Sequence, residues 1–257
     1  MTFRQAMTEA IKAALAGRPY SQDKIKSILY SHLPTHDTIK RQAKSSMLSI
    51  YKSKVEKGGI LKQHPGVDTW TLNRIAPKLR SELDKRIASN INLIVLNRDA
   101  SAANTIKRYE GWISSLTSVN DAVKVGEITD EMTKEYNKVK FYQRRVDIDQ
   151  GHKFVSAVSN IIATENRAIA SIWHSQFKRL NYNYREEHKE RDGEVYLIRG
   201  SWADDEGLVK PSKAGYSDEI TQPGEEVYCS CYFQYIYSLR KIPVDMLTKK
   251  GLQQIGQ

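Results

Sequence analysis

The chain has 257 residues, which is enough for about two domains. Hydrophobic residues make up 40% and charged residues 27% of the sequence, a balance that argues against wholesale disorder. No apolar run approaches the roughly 20 residues that span a bilayer. The first residues lack the apolar core of a secretory signal, so we expect no membrane partner. Two cysteines are too few for a disulfide scaffold and predict a reducing compartment.

The positive charge is concentrated at the front of the chain. The net charge is +10, and residues 1–75 hold 13 Lys and Arg against 5 Asp and Glu. Residues 151–257 hold 14 of each kind. Most of the attraction for a polyanion therefore belongs to the first 75 residues, which favours nucleic acid as a partner. A solvated, lysine-rich surface is the plainer alternative.

Helical periodicity and stop signals predict three helices at the N-terminus. The first helix is predicted over residues 3–16, where apolar residues recur at helical spacing. The second follows the capping residue Ser21. The third begins at Thr35 or Asp37 and ends at Gly58-Gly59, because glycine commonly terminates a helix.

A β-hairpin is predicted directly after the third helix. Residues 60–63 and 67–72 have strand-like patterns, and the turn sequence His64-Pro65-Gly66 separates them. Three helices followed by a hairpin resemble the winged helix-turn-helix family over about residues 3–75. The resemblance implies that the third helix enters the major groove of DNA. Such a domain is also used for protein–protein contacts, which is the alternative here.

Polar and cationic side chains of the third helix and the predicted wing are the candidate DNA contacts. Contacts dominated by lysine suit phosphate anchoring better than base reading. This disfavours a transcription regulator, since Gln42 is the only amide side chain of the helix interior that suits base reading. The candidate contacts are Thr38, Lys40, Arg41, Lys44, Lys62 and His64.

The remainder of the chain predicts a helical region followed by a small α+β region. Residues 76–150 carry apolar stripes at helical spacing, with an interruption at 121–126. A clear helical pattern follows over residues 155–177. Two β-prone segments, 195–198 and 226–237, then flank a polar, glycine-rich loop.

Short polar motifs in the last third of the chain follow a characteristic order. This order resembles the C-terminal domain of the phage Mu F-like minor head proteins, the head morphogenesis proteins of tailed phages, over roughly residues 80–240. Ser230 stands where that family often has arginine between two cysteines. The resemblance implies a virion component. The family's own likeness to small ribonuclease toxins implies a nuclease as an alternative. The matching residues are Thr164, Glu165, Arg185, His188, Asp192, Gly193, Pro223, Gly224, Cys229 and Cys231.

Structural and catalytic roles are both open for these residues. In a structural role, Thr164, Glu165 and His188 hold the turn at Asp192-Gly193 and fix the sheet against the helices, because buried polar groups need partners. In a catalytic role, Glu165, His188 and Arg185 cleave nucleic acid by acid–base chemistry. The structural role is favoured, so we do not expect enzymatic activity.

A metal site is the third open role. Cys229 and Cys231 are predicted to lie on one face of a strand, so both thiolates can reach one ion. His188 is the third candidate ligand, with His174 or an acidic side chain as the fourth. Sulfur and imidazole together favour zinc. Zinc sites usually have two to four residues between paired cysteines, and the single residue here disfavours zinc, so no cofactor is the leading expectation.

Together these patterns predict an α+β fold with three parts. These are a winged helix domain at 1–75, a helical region at 76–150 and a Mu F-like domain at 151–257, whose small antiparallel sheet packs on helices. The expected function is a phage minor head protein inside the capsid near the portal, present in the host cytoplasm during assembly. Its expected partners are double-stranded DNA and the portal or major capsid protein. A packaged nuclease or toxin and a transcription regulator are the alternatives.

Overall fold

A computed structural model describes residues 1–116 and 124–256. It shows a mixed α+β fold in which long helices accompany a small antiparallel sheet, as the sequence predicts. The interruption predicted at 121–126 lies mostly outside the described residues. Within the described ranges, no helix is both long and apolar enough to cross a membrane. The helices are α1 (Phe3–Leu15), α2 (Gln22–His32), α3 (His36–Tyr51), α4 (Thr69–Arg74), α5 (Ala76–Ser115), α6 (Val125–Glu165), α7 (Glu186–Glu190), α8 (Trp202–Asp205) and α9 (Lys249–Ile255), and the strands are β1 (Ala170–His174), β2 (Val195–Leu197) and β3 (Tyr232–Ile236).

The chain divides into two compact units, each built from two separate stretches. Unit 1 contains residues 1–45 and 88–147, and unit 2 contains residues 46–87 together with the chain from Ile148 onward. Because α3, α5 and α6 each begin in one unit and end in the other, the boundaries fall inside helices. They differ from the ranges expected from the sequence, which end at residues 75 and 150.

In unit 1, the first two helices form where the sequence predicts them. Thr2 and Gln5 make a reciprocal capping box at the start of α1. The apolar faces of α1 and α2 pack against later helices, and the hydroxyl of Tyr109 accepts the backbone N–H of Tyr20 at 3.0 Å. The three N-terminal helices therefore do not form a core by themselves. The buried residues of this cluster include Met7, Ile11, Ile25, Leu29, Ile106, Met132 and Val139.

The predicted β-hairpin is wrong. Residues Gly59–Gln63 form a 3-10 helix, and the second expected strand is the helix α4. The side chain of Asp68 accepts the backbone N–H of Thr71 at 2.9 Å and caps α4, which starts a helix where the residue pattern alone favours a strand. Ile60 and Leu72 are buried in the core of unit 2 instead of pairing with each other. The winged helix assignment is accordingly not confirmed.

Unit 2 contains the small antiparallel sheet predicted for the C-terminal part. The strand order is β2-β1-β3, and Ser171 of the central strand lies opposite Tyr196 and Tyr235. One cluster joins Trp173 and Phe233 to Ala163 of α6, so the sheet packs on a helix as expected. A second cluster collects Ile169, Leu197, Leu208, Ile236, Leu239 and Met246.

The helix predicted over 155–177 ends earlier than the periodicity suggests. α6 stops at Glu165, and residues 170–174 form β1. Arg167 adopts a left-handed conformation with φ of 55°, and the N–H of Ala168 returns to the carbonyl oxygen of Ala163 at 3.0 Å, a helix-terminating arrangement. The apolar run after it is strand, because its residues pair on both sides with β2 and β3.

Candidate functional site

His188 lies at the centre of a buried cluster in unit 2. It belongs to α7, is 1% exposed, and packs against the indole of Trp173 with ring centroids 5.1 Å apart. Its Nδ1 atom lies 3.7 Å from Sγ of Cys229 and 3.6 Å from Sγ of Cys231. The structure therefore brings together the histidine and the two cysteines that the sequence identifies as candidate metal ligands.

The segment that carries the two cysteines is held by the hydroxyl of Tyr182. This hydroxyl donates to the carbonyl oxygen of Tyr228 at 3.2 Å and accepts the N–H of Ser230 at 3.1 Å. Tyr228 has φ of 64°, a conformation that interrupts extended structure. The cysteines consequently precede β3, and the strand expected over 226–237 is wrong in its first half. Both sulfur atoms nevertheless reach the same imidazole.

The other ring nitrogen of His188 faces carboxylates. Nε2 lies 3.2 Å from Oε2 of Glu226 and 3.5 Å from Oε1 of Glu187. The Nε2 atom and the Glu226 oxygen are within ion-pair distance but outside hydrogen-bond alignment, so their contact is electrostatic. Nε of Arg185 contacts the same oxygen of Glu226 at 2.8 Å, and its guanidinium donates to the carbonyl oxygen of Val227 at 3.2 Å. Arg185, a candidate catalytic residue, thus holds the turn before the cysteines.

The two thiol groups have opposite pKa shifts. The hydrogen bond between the two side chains lowers the pKa of Cys229 to about 6, and hydrogen bonds from backbone N–H groups act in the same direction, against the effect of burial. The same hydrogen bond raises the pKa of Cys231, and burial raises it further. The first proton leaves from Cys229, and the remaining S–H stabilises that thiolate. A thiolate is the form of cysteine that ligates metals and reacts with electrophiles.

Asp192 and Gly193 fix the chain after α7 to the end of β1. Oδ1 of Asp192 accepts the N–H of Ser175 at 2.7 Å, and the N–H of Gly193 donates to the carbonyl oxygen of Trp173 at 2.8 Å. Gly193 has φ of 84°, which favours glycine. The turn is held through these groups, whereas the Nδ1 atom of His188 faces the cysteines.

Thr164 and Glu165 lie apart from the cluster around His188. They end α6, and Glu165 forms an ion pair with Lys78. Both line a surface depression with Asn160. Within the described part of the chain, the carboxylates grouped with His188 are those of Glu187 and Glu226. Both the structural and the catalytic expectation required Glu165 to act together with His188. The structure does not bring these two residues together.

Pro223 and Gly224 place the loop before the cysteines against α6. The hydroxyl of Ser156 donates to the carbonyl oxygen of Pro223. A Cβ atom on Gly224 would lie 3.1 Å from Cβ of Ser156, and the residue has φ of 79°. The close approach to α6 and the backbone conformation both favour glycine here.

A cavity of about 450 Å³ lies beside Cys231. His174, an expected fourth metal ligand, lines this cavity but is engaged elsewhere. Its Nε2 atom lies 3.2 Å from Oε1 of Gln234, and its ring stacks on Tyr232 with centroids 4.9 Å apart. It does not join the ligand group of His188 among the described residues. Cationic and polar side chains in the lining include Lys54, Lys62, His152 and Arg179.

Three of the candidate DNA contacts form a cationic face on α3 in unit 1. Lys40, Arg41 and Lys44 are exposed, and none of them has an ion pair within the described residues. The opposite side of the helix is buried through Ile39 and Ala43. This arrangement leaves the three charges directed at solvent, where a polyanion can reach them.

The other candidate DNA contacts lie in different settings. Thr38 is half-buried, and its N–H donates to Oγ1 of Thr35 at 3.2 Å, which caps α3. Lys62 is exposed on the 3-10 helix that replaces the expected wing. His64 is completely buried in unit 2, with Nε2 3.0 Å from Oγ of Ser159. His64 is therefore not a DNA contact, because its side chain is buried and does not lie on an exposed hairpin.

Sequence reasoning missed three residues that organise the cluster: Tyr182, Glu187 and Glu226. Glu226 had a local signal, since it lies three residues before Cys229 and its carbonyl oxygen accepts the N–H of Cys229 at 3.1 Å. Tyr182 had none. Its hydroxyl partners, Tyr228 and Ser230, are 46 and 48 residues away in the chain.

No protein-family model, curated protein or solved structure matches this chain. The likeness to the Mu F-like domain thus consists of short motifs and their order, and the function has to be inferred from the chain's own residues and their geometry.

Proposed function

We propose that the chain is a minor head protein of a tailed phage. It resides in the capsid interior near the portal and in the host cytoplasm during assembly. It binds packaged double-stranded DNA without sequence preference through the cationic face of α3, and its C-terminal part docks on portal or major capsid protein. The observation that carries the proposal is the convergence of motif residues in unit 2.

The convergence concerns residues that are far apart in the sequence. Arg185 and His188 contact Glu226, and His188 contacts Cys229 and Cys231, more than 40 positions later. Four residues of the Mu F-like pattern, Arg185, His188, Cys229 and Cys231, are thus neighbours in space, whereas Thr164 and Glu165 lie elsewhere in unit 2. Such an arrangement is expected if the pattern belongs to one folded domain and is not a chance series of short matches.

The DNA contact is supported by the cationic face of α3. Lys40, Arg41 and Lys44 are unpaired within the described residues and carry flexible or forked cationic heads suited to phosphate oxygens. Neutralising phosphates releases condensed counterions, which gives affinity without base recognition. A protein that holds packaged DNA of any sequence needs contacts of this kind.

Mass spectrometry of purified virions tests the location. DNA-filled heads are treated with protease before and after they are opened, and peptides from this chain are quantified against the major capsid protein. The proposal predicts peptides at low copy number that survive protease in intact heads and are lost once the heads are opened. Peptides confined to the unassembled fraction of the lysate, or digested in intact heads, would refute it.

A further inference from the structure

We propose that His188, Cys229 and Cys231 bind one zinc ion through the imidazole Nδ1 atom and two thiolates. The three ligand atoms lie within 4.8 Å of one another, and all three residues are buried. The site is separate from the cationic face of α3 and does not depend on the phage-head function proposed above.

The nitrogen–sulfur distances within the cluster match those of a tetrahedral zinc site. With Zn–S bonds of about 2.3 Å and Zn–N bonds of about 2.0–2.1 Å, tetrahedral geometry places a ligand nitrogen about 3.6 Å from a ligand sulfur. The two nitrogen–sulfur distances here are 3.6 and 3.7 Å. The short spacing of the cysteines is accommodated because the backbone turns at Tyr228, before β3. The two hydrogen bonds of the Tyr182 hydroxyl hold this turn.

The carboxylates on the far side of the imidazole favour the tautomer that ligates through Nδ1. Glu226 and Glu187 lie 3.2 and 3.5 Å from Nε2, so the proton is stabilised on that nitrogen. The lone pair of a neutral ring is then on Nδ1 and faces the two sulfur atoms. A carboxylate next to the non-ligating nitrogen is the usual support of a histidine that binds zinc.

Hydrogen bonding alone engages only one of the two thiol protons with the ring. A neutral imidazole has one lone pair on Nδ1, which can accept one thiol proton, so the second thiol is left to hydrogen-bond the first sulfur, although both sulfur atoms lie at nearly equal distance from Nδ1. A zinc ion engages all three atoms at once. Two thiolates and one Zn²⁺ also sum to no net charge, which suits a buried position.

A cation on the Nε2 side of the ring is less favoured. That group would consist of Glu187, His188 and Glu226. Both carboxylates already face guanidinium groups, since Arg185 lies 2.8 Å from Glu226 and Arg191 lies 3.8 Å from Glu187. Their negative charge is therefore partly compensated, and hard oxygen ligands would not select zinc over other cations.

The fourth coordination position belongs to a water molecule. Cys231 lines the cavity of about 450 Å³ described above, so solvent reaches the cluster from that side. The same cavity is lined by cationic side chains, which suit an anionic ligand in place of the water. A site with three protein ligands and one open position can exchange its fourth ligand.

Metal content and cobalt spectroscopy of the full-length chain test the site. Protein purified without chelator is analysed for zinc by mass spectrometry, and chelated protein is titrated with Co²⁺. We expect one zinc ion per chain, a thiolate-to-cobalt charge-transfer band with tetrahedral visible bands, and protection of both cysteines from alkylation when Zn²⁺ is bound. The alkylation assay uses the wild-type chain, so it does not depend on how a variant folds.

Variants distinguish a metal ion bound at Nδ1 of His188 with the two cysteines from one bound at Nε2 with the carboxylates. C229S and C231S should each abolish the charge-transfer contribution of one sulfur and lower zinc affinity at least 100-fold, whereas S230A, between them, should bind like the wild type. The proposal is overturned if the folded wild-type chain binds no zinc, if its cysteines are alkylated equally fast with and without Zn²⁺, or if zinc binding persists in C229S and C231S but is lost in E187Q.

Discussion

The Nδ1 atom of His64 lies 2.5 Å from the hydroxyl oxygen of Tyr237 in the interior of unit 2. The ring of His64 also stacks on Tyr235, with centroids 5.1 Å apart and planes nearly parallel. Burial lowers the pKa of His64 to about 3, because the imidazolium would lose its hydration. The histidine expected on a DNA-binding wing is therefore a neutral core residue that ties the 3-10 helix to the chain after β3.

Acid should destabilise the protein through His64. The folded-state pKa of about 3 lies below the ordinary value of 6.5, so the unfolded state binds more protons between these two pH values. The contribution of neutral His64 is complete above pH 6.5 and is lost as the pH falls toward 3. The loss reaches about 1.4 kcal/mol per pH unit at most. Burial lowers the pKa of His152 as well, and this effect has the same sign.

Urea unfolding at pH values between 7 and 5 measures this loss. The free energy of unfolding of the wild type should decrease across that range, and the decrease should be smaller in H64Q, which has no titrating ring at this position. An equal decrease in both proteins would assign the acid sensitivity to other groups.

Removal of the Tyr237 hydroxyl should destabilise unit 2. Y237F leaves Nδ1 of His64 buried without its partner, and an unsatisfied buried polar atom costs about 1–3 kcal/mol. Y232F is the matched control, because Tyr232 is a half-buried tyrosine of β3 whose hydroxyl makes no hydrogen bond within the described residues. Chemical denaturation of both variants checks this. Equal stabilities of the two variants would contradict the role of the His64–Tyr237 contact.

Glu226 should tune zinc affinity without being a ligand. E226Q removes the carboxylate that faces Nε2 of His188 at 3.2 Å, and loss of such a support lowers metal affinity by about 10–100-fold. E190Q, an exposed carboxylate of the same helix α7 as His188, serves as control and should bind zinc normally. Competition with a zinc-binding dye gives the affinities. A Co²⁺ spectrum with one sulfur ligand fewer in E226Q would mean that Glu226 shapes the cysteine segment instead.

The N-terminal helices and the two outer strands of the C-terminal sheet were predictable from local signals, whereas the central strand β1 was not, because its apolar run continues the helical stripe of α6. The caps of α1 and α2 and the β-prone runs of the sheet can be recognised from adjacent residues. The strands of the expected hairpin did not form, because Ile60 and Leu72 are buried in the core of unit 2 and the segments that carry them are helical. The unit boundaries were missed for a related reason, since the helices α5 and α6 run 40 and 41 residues and supply both cores.

The candidate site was predictable as a set of residue types but not as a geometry. His188, Cys229 and Cys231 were identified from the resemblance to the Mu F-like motif order and from the chemistry of their side chains. The hydrogen bonds of the Tyr182 hydroxyl and the carboxylate of Glu226 were missed, because only the folded chain brings these groups to the cluster. Glu165 illustrates the converse, since its place in the Mu F-like motif order suggested a catalytic partner and the fold pairs it with Lys78 instead.

The salt dependence of DNA binding by the full-length chain tests the central claim most directly. Affinity for a duplex of arbitrary sequence is measured between roughly 50 and 200 mM salt for the wild type, for the triple variant K40A/R41A/K44A, and for K12A/K124A/K134A. The control triple removes the same charge from lysines that are paired with Glu9, Glu127 and Glu131. We predict steep salt dependence in the wild type and the control, and a slope of log K against log salt that is shallower by about 2–3 in K40A/R41A/K44A, at roughly 0.9 per phosphate contact. Absence of binding by the wild type at low salt, or equal slopes for the two triple variants, would contradict the account.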